Sequence, residues 1–164
     1  MEMESLRDLF VDELKDLYSA ENQILKALPK MIKKAGSKEL KSGFEQHLKE
    51  TQGHVERLEK IFKQLDESPR GKKCKGMEGV IADGKEWMEE DAEPEVMDAG
   101  LISAAQHVEH YEIAGYGCVR TYAELMGESE IANLLEKTLE EEKATDEKLS
   151  QLAENINVEA EKAA

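Results

Sequence analysis

One set of side chains in this sequence has the types and spacing to hold metal ions: Glu21, Glu50, His54, Glu109, Glu112, Glu142 and Asp146. Carboxylates joined by an imidazole make an oxygen-rich donor set that suits iron, manganese and similar divalent ions. Acids as such are no signal, because 37 of the 164 residues are Asp or Glu and most acids on a folded chain face water. The signal is that these interrupt apolar stripes. Glu21 continues the series Phe10, Leu14, Leu17 before it returns to Ile24 and Leu28. Glu50 and His54 share a flank with His47, Leu58 and Ile61, and Glu109 and Glu112 stand among Leu101, Ala105, Val108, Tyr116 and Val119. Glu142 falls within Leu135, Thr138, Thr145, Leu149 and Leu152, with Asp146 one turn further on. Any one of these acids alone is more simply a boundary residue whose head reaches water. The joint pattern asks for more.

The apolar residues recur in steps of three, four and seven, which is helical and not strand periodicity. A first helix is expected over residues 5–35, opened by Ser5 with Asp8 three positions on and carrying Pro29 near its end. Gly36-Ser37 supplies a stop and a new N-cap, and a second helix follows over 38–66. Leu40, Phe44, Leu48, Thr51, Val55, Leu58, Phe62 and Leu65 are its inward residues in this reading. Ser68-Pro69-Arg70-Gly71 ends it. A crossover over 67–94 carries a short amphipathic helix at about 77–90, a third long helix covers 95–126, and Gly127 separates it from a fourth over 128–155. The polar tail from Asn157 is expected to fray. Short turns at Gly36 and Gly127 make two antiparallel hairpins, and the long crossover makes the second and third long helices parallel. Two such hairpins joined by one long crossover are an all-α, ferritin-like four-helix bundle forming a single domain.

Register sharpens the metal reading. Residues of an antiparallel hairpin share a level when they are equidistant from its turn. Glu21 and Glu50 are equidistant from the Ala35–Gly36 junction, and Glu112 and Glu142 from Gly127. Each lies about 15 residues, or ~22 Å, from its turn, close to half of a ~45 Å bundle. The crossover sets the two turns at opposite ends, so both pairs meet in the middle. Buried carboxylates cost several kcal/mol each unless compensated. Protonation is one remedy; two cations about 3.5–4 Å apart, bridged by the carboxylates, are another.

Bulk properties bound the function. A formal charge of -15 repels phosphate backbones and disfavours nucleic acid as a partner, although solubility alone explains much of that charge. No apolar run is long enough to span a membrane, and Met1-Glu2-Met3-Glu4 has neither the basic nor the apolar part of a secretory signal, so a cytoplasmic location is expected. The cysteines, Cys74 and Cys118, show no metal spacing. Cys118, on the third long helix, reads as a small buried hydrophobe, while Cys74 among Lys72, Lys73 and Lys75 is a candidate for a lowered pKa and reactivity. His107 and His110 form an i, i+3 pair that points off the acid face. The third long helix is small and apolar nearly all round, so the crossover helix, through Met77, Val80, Ile81, Trp87 and Met88, or a second subunit must cover it. Tyr18 and Tyr116 lie near the acid level, where they serve as core or flank the centre.

The stretches Asp16-Leu17-Tyr18-Ser19-Ala20-Glu21, His47-Leu48-Lys49-Glu50-Thr51, Val55-Glu56-Arg57-Leu58-Glu59 and Cys74-Lys75-Gly76-Met77-Glu78-Gly79 have a familiar look. So do Ala104 to Ala114, with its Gln106-His107-Val108-Glu109-His110-Tyr111-Glu112 core, and Thr138 to Asp146. Together they resemble the YciF/YciE family of bacterial ferritin-like proteins over nearly the whole chain. The resemblance implies a homodimeric, rubrerythrin-like bundle associated with stress responses, without a defined reaction. Carried onto this chain, a ferritin-like di-metal pattern assigns Glu21, Glu50, Glu109, Glu112 and Glu142. The expected Glu-x-x-His pairs are missing, since Gly53 and Thr145 stand three residues after Glu50 and Glu142. His54 and Asp146 stand four residues on, still on the same helix face.

The leading expectation is therefore a carboxylate-rich centre for two iron or manganese ions, oxidising Fe(II) or handling oxygen or peroxide. The alternative is a non-enzymatic helical dimer with a structural or interaction role in stress, its inner acids hydrogen-bonded or hydrated. Cage-type iron storage is weaker, because nothing in the sequence specifies a shell.

Overall fold

The computed structural model describes residues 2–163, and these form five helices: α1 (Leu6–Lys34), α2 (Lys38–Leu65), α3 (Lys75–Glu89), α4 (Pro94–Leu125) and α5 (Ser129–Lys162). The ends follow local chemistry. Ser5 caps α1 by accepting from the Asp8 amide, and Ser37 caps α2 by accepting from the Leu40 amide. Pro94 opens α4 at a position where its missing N–H costs nothing. Gly127, with φ of 75°, takes the left-handed turn between α4 and α5. Among the described residues no helix is long and apolar enough to cross a membrane.

α1 pairs with α2 and α4 with α5, while α1 also lies against α4 and α2 against α5. Direction is fixed at the two ends. The buried Asp98, near the start of α4, accepts from the Gly36 and Ser37 amides at 2.8 Å each, tying the α1–α2 turn to that end. At the other end Arg7 of α1 meets Glu128 at 3.4 Å, and Gln64 of α2 meets Glu130 of α5. α4 is thus parallel to α2 and antiparallel to α1, the ferritin-like arrangement. α3 lies in the crossover against α1 and α4. Trp87 of α3 packs on the Gly100 backbone, where any Cβ would collide with the indole, and donates to the Met97 carbonyl at 3.3 Å.

The apolar core falls into two clusters, one toward each end of the bundle. The first includes Ile24, Leu28, Leu40, Phe44, Leu101, Ala105 and Leu149 and is joined by Met77 of α3. The second includes Phe10, Leu14, Leu17, Leu58, Ile61, Val119, Ile131 and Leu135. Between them every long helix contributes polar residues: Glu21; His47, Thr51 and His54; Glu109 and Glu112; Glu142.

Several local expectations are corrected. The tail does not fray at Asn157: α5 continues to Lys162, because Leu152, Ala153 and Ile156 extend its apolar stripe onto the first cluster. The inward face of α2 uses His47 and His54 where Leu48 and Val55 were expected; those two are only partly buried. Cys118 is exposed, because α3 covers the first half of α4 and stops short of it. Cys74 is buried as the N-cap of α3, and burial, with Asp16 beside it, pushes its thiol up rather than down. The neighbouring lysines are engaged elsewhere, Lys72 with Asp12 and Lys73 with Glu78.

Candidate metal centre

The polar level at mid-bundle brings together two groups whose donor atoms lie within 4.8 Å of one another: Glu21, His54, Glu112 and Glu142, and His47, Glu109 and Glu142. All six residues are at most 2% exposed, and Glu142 belongs to both groups. Each helix supplies its part by simple spacing. Glu109 and Glu112 are three apart on α4, and His47 and His54 are seven apart on α2, so each pair lies on one face. His54 Nδ1 sits 2.8 Å from Glu142 Oε1 and 3.1 Å from Glu21 Oε1. His47 Nε2 sits 2.9 Å from Glu109 Oε1. Tyr116 donates its hydroxyl to Glu21 Oε1 at 2.6 Å.

Outside this layer a second set of side chains holds the imidazole. His54 Nε2 is 3.0 Å from Glu141 Oε2, and Arg57 grips both oxygens of Glu141 at 2.8 Å while reaching Thr138 at 2.9 Å. With Nε2 turned to Glu141, Nδ1 faces the acids, the orientation a ligating histidine takes.

Charge in this layer is unevenly distributed. Burial pushes Glu109 and Glu112 well above the usual carboxylate range, and the negative Glu142 adds to it. Glu142 is itself held below that range: burial opposes its charge, but the close approach of Glu109, His54 and Glu112 prevails. Burial also works against a charged His54, yet Glu21 and Glu142 outweigh it and raise the imidazole to about 10. Burial lowers His47. A raised imidazole and two raised carboxyls thus offset the charge held on Glu142.

That balance leaves atoms without partners. Both oxygens of Glu109, Glu112 and Glu142, Oε2 of Glu21, both ring nitrogens of His47 and Nδ1 of His54 are buried with no hydrogen-bond partner, although several lie close together. Buried polar atoms are almost always satisfied. Convergent lone pairs on carboxylates and imidazoles, unsatisfied by the protein, fit a divalent first-row metal by donor chemistry and by arrangement.

The structure places the sequence-derived candidates unequally. Glu21, His54, Glu109, Glu112 and Glu142 converge. Glu50 does not enter either group: it is half-buried at the edge, bonded to Thr145 and Gln46 at 3.1 Å each. Asp146 faces outward to His110 Nε2 at 3.1 Å. Of the tyrosines, Tyr116 enters the layer and Tyr18 bonds Glu59 at 3.0 Å. The residue passed over was His47. The signal for it was the strict seven-residue run Leu40, His47, His54, Ile61, which marks one inward line on α2.

The bundle and its inner carboxylate–histidine layer define a ferritin-like protein of the kind that could hold a pair of metal ions. The family model described as a domain of unknown function (DUF892) matches residues 5–162, and the chain belongs to that family. YciF of Escherichia coli strain K12 is 45% identical over 163 residues, 98% of each chain. The crystal structure of that stress protein aligns with a TM-score of 0.91 at 44% identity, covering 94% of this chain and 98% of its own. YcfI of Rhodopseudomonas palustris, put forward as a structural protein, aligns at 0.88 with 43% identity, covering 91% and 95%. A ferritin-like, diiron-carboxylate protein of Bacillus anthracis strain Ames aligns at 0.71 over 92% and 99%, with 18% identity, a likeness of fold alone.

Proposed function

We propose that this chain is a di-metal carboxylate protein, cytoplasmic and homodimeric, that binds two iron or manganese ions and uses them in stress to oxidise Fe(II) or to turn over oxygen or peroxide. The observation that carries the reading is the set of buried, partnerless carboxylate oxygens and imidazole nitrogens at one level of the bundle. Glu142, common to both donor groups, would serve both ions, with Glu21, His54 and Glu112 holding one and His47 and Glu109 the other. Tyr116 fixes the aim of Glu21, and Arg57 through Glu141 fixes the ring of His54 and keeps its Nε2 proton in place. A bound pair of such ions supplies electron transfer and Lewis acidity toward a small oxidant. The apolar clusters above and below keep bulk water from the layer, which strengthens every electrostatic interaction inside it.

The test is metal content after anaerobic reconstitution with Fe(II) or Mn(II). About two ions per chain are expected in the parent protein and almost none in Glu142→Ala, with helicity retained. Glu50→Ala, at the edge, should keep most of the metal. A parent protein that takes up neither ion above weak surface levels sinks the reading. The structural role put forward for YcfI supports a second one, a helical interaction protein. It predicts that Glu142→Ala leaves cellular function untouched.

A further inference from the structure

A cavity of about 230 Å³ lies between α1, α3 and α4. Ile24, Leu28, Val80, Ile81, Met88 and Val108 contribute its walls. Lys26, Lys30 and Lys85 are exposed at its rim, and no carboxylate lines it. Among the described residues none of these three lysines takes part in an ion pair, in a chain whose formal charge is -15. The cavity therefore pairs an apolar interior with a local concentration of positive charge. Lysine stems extend the apolar wall while their ammonium groups stay in water.

The inner end is as informative as the mouth. His47 is the lining residue contributed by α2, on the far side of the bundle from α3. It is 2% exposed, both of its ring nitrogens lack a hydrogen-bond partner, and Nε2 lies 2.9 Å from Glu109. The cavity thus leads from three unpaired cations to an unsatisfied imidazole at the edge of the carboxylate layer.

We propose that this cavity binds a medium-chain aliphatic carboxylate, its head held by Lys26, Lys30 and Lys85 and its tail packed on the walls formed by Ile24, Leu28, Val80, Ile81, Met88 and Val108. A small hydrophilic anion would leave the apolar walls unused, and a neutral hydrocarbon would leave the lysines unused. The volume holds about eight methylene-sized groups at roughly 30 Å³ each, near a water's share of liquid volume. That is a ligand somewhat smaller than the ~300 Å³ at which drug-sized pockets begin. The proposal is independent of the metal reading, since binding on these walls requires no metal.

Octanoate is the probe, titrated calorimetrically into the metal-free and the Mn(II)-loaded protein, with octanol and octylammonium as comparators. Metal content is measured on the same samples, so loss of the metal reading is seen separately. Octanoate is expected to bind both forms and octylammonium neither. Ala27→Phe, which fills the cavity from α1, should weaken octanoate by roughly tenfold or more. Replacing Lys26, Lys30 and Lys85 by Ser should weaken octanoate by roughly tenfold and leave octanol unchanged. Both variants should keep the parent's helicity and metal content. Octanoate binding by neither form overturns the proposal, and so does binding that neither variant alters. If Ala27→Phe instead converts dimers to monomers in sedimentation while octanoate fails to bind, the cavity receives a side chain of a second copy, and the proposal falls.

Discussion

Two polar clusters, one half-buried around Cys74 and one fully buried at mid-bundle, sit only a few helical turns apart, and they are built on opposite rules. Around Cys74 each group finds a partner. Its Sγ lies 3.0 Å from Asp16 and 3.1 Å from the Tyr111 hydroxyl, which itself donates to Asp16 at 3.0 Å. The Cys74 amide donates to Ser19 and its carbonyl accepts from Gln23. This closed network fastens α3 to α1 and α4. The mid-bundle layer is also built on carboxylates and is more deeply buried, yet most of its oxygens point at one another and go unsatisfied. A satisfied network rigidifies; an unsatisfied one stores a cost that something else must relieve. The contrast separates a polar cluster that holds the fold from one whose donor atoms the protein leaves open.

The largest expected effect lies in the open cluster. Metal should raise stability by about 2.7 kcal/mol at a hundredfold excess over Kd, or roughly 5–10 °C in Tm for a chain of this length. The size of that rise should depend on pH. Burial raises Glu109 and Glu112, so their contribution to the metal-free protein is present at low pH and lost as pH rises through the raised values. His54, raised to about 10, likewise favours the metal-free fold while protonated and must lose that proton to bind metal. The difference in Tm between metal-loaded and chelator-treated protein should therefore grow from about pH 5 to about pH 8. A constant difference over that range would mean that the ions bind elsewhere, at groups that do not exchange protons for metal.

The closed cluster should respond in the opposite sense. Asp16→Ala removes the acceptor shared by Cys74 and Tyr111 and should cost about 1–3 kcal/mol. Metal content should stay at the parent's value, because Asp16 lies outside both donor groups. Denaturant unfolding and metal analysis on the same variant read both quantities. An Asp16 variant that lost metal together with stability would merge the two clusters into one.

Much of this was legible before the fold was known, and the exceptions share a cause. Turn positions and the matched level of Glu112 and Glu142 followed from counting residues along antiparallel helices, whereas Glu21 meets His54 on α2 and not Glu50, with which counting paired it. What counting cannot fix is rotation about the helix axis to within a few tens of degrees. On α2 that uncertainty separates Leu48 and Val55 from His47 and His54, and it moved Glu50 from the centre to its edge. It also turned Asp146 out to His110. α4 offered no polar face to orient it, so only the length of α3 decides which of its small residues are covered. Glu141 and Arg57 escaped notice because a surface ion pair gives no periodic signal until the imidazole it holds is seen.

The smallest effect tests the same comparison at its edges, through the two thiols. Cys118 is exposed on α4 beyond the reach of α3, so Cys118→Ser should change stability by less than about 0.5 kcal/mol. Cys74 carries no such freedom. Its sulfur caps the Met77 amide at 3.3 Å and contacts both Asp16 and Tyr111. Only the thiolate attacks an alkylating reagent, and burial together with Asp16 disfavours that form at Cys74. Iodoacetamide should therefore modify Cys118 first and reach Cys74 at a rate set by the opening of α3. Asp16→Ala should accelerate the second modification without changing the first, because it loosens the cap and leaves the exposed face of α4 as it was. Equal rates at both cysteines in the parent protein would show that α3 is not fastened as its hydrogen bonds imply. The contrast between a closed cluster and an open one would then lose its closed member.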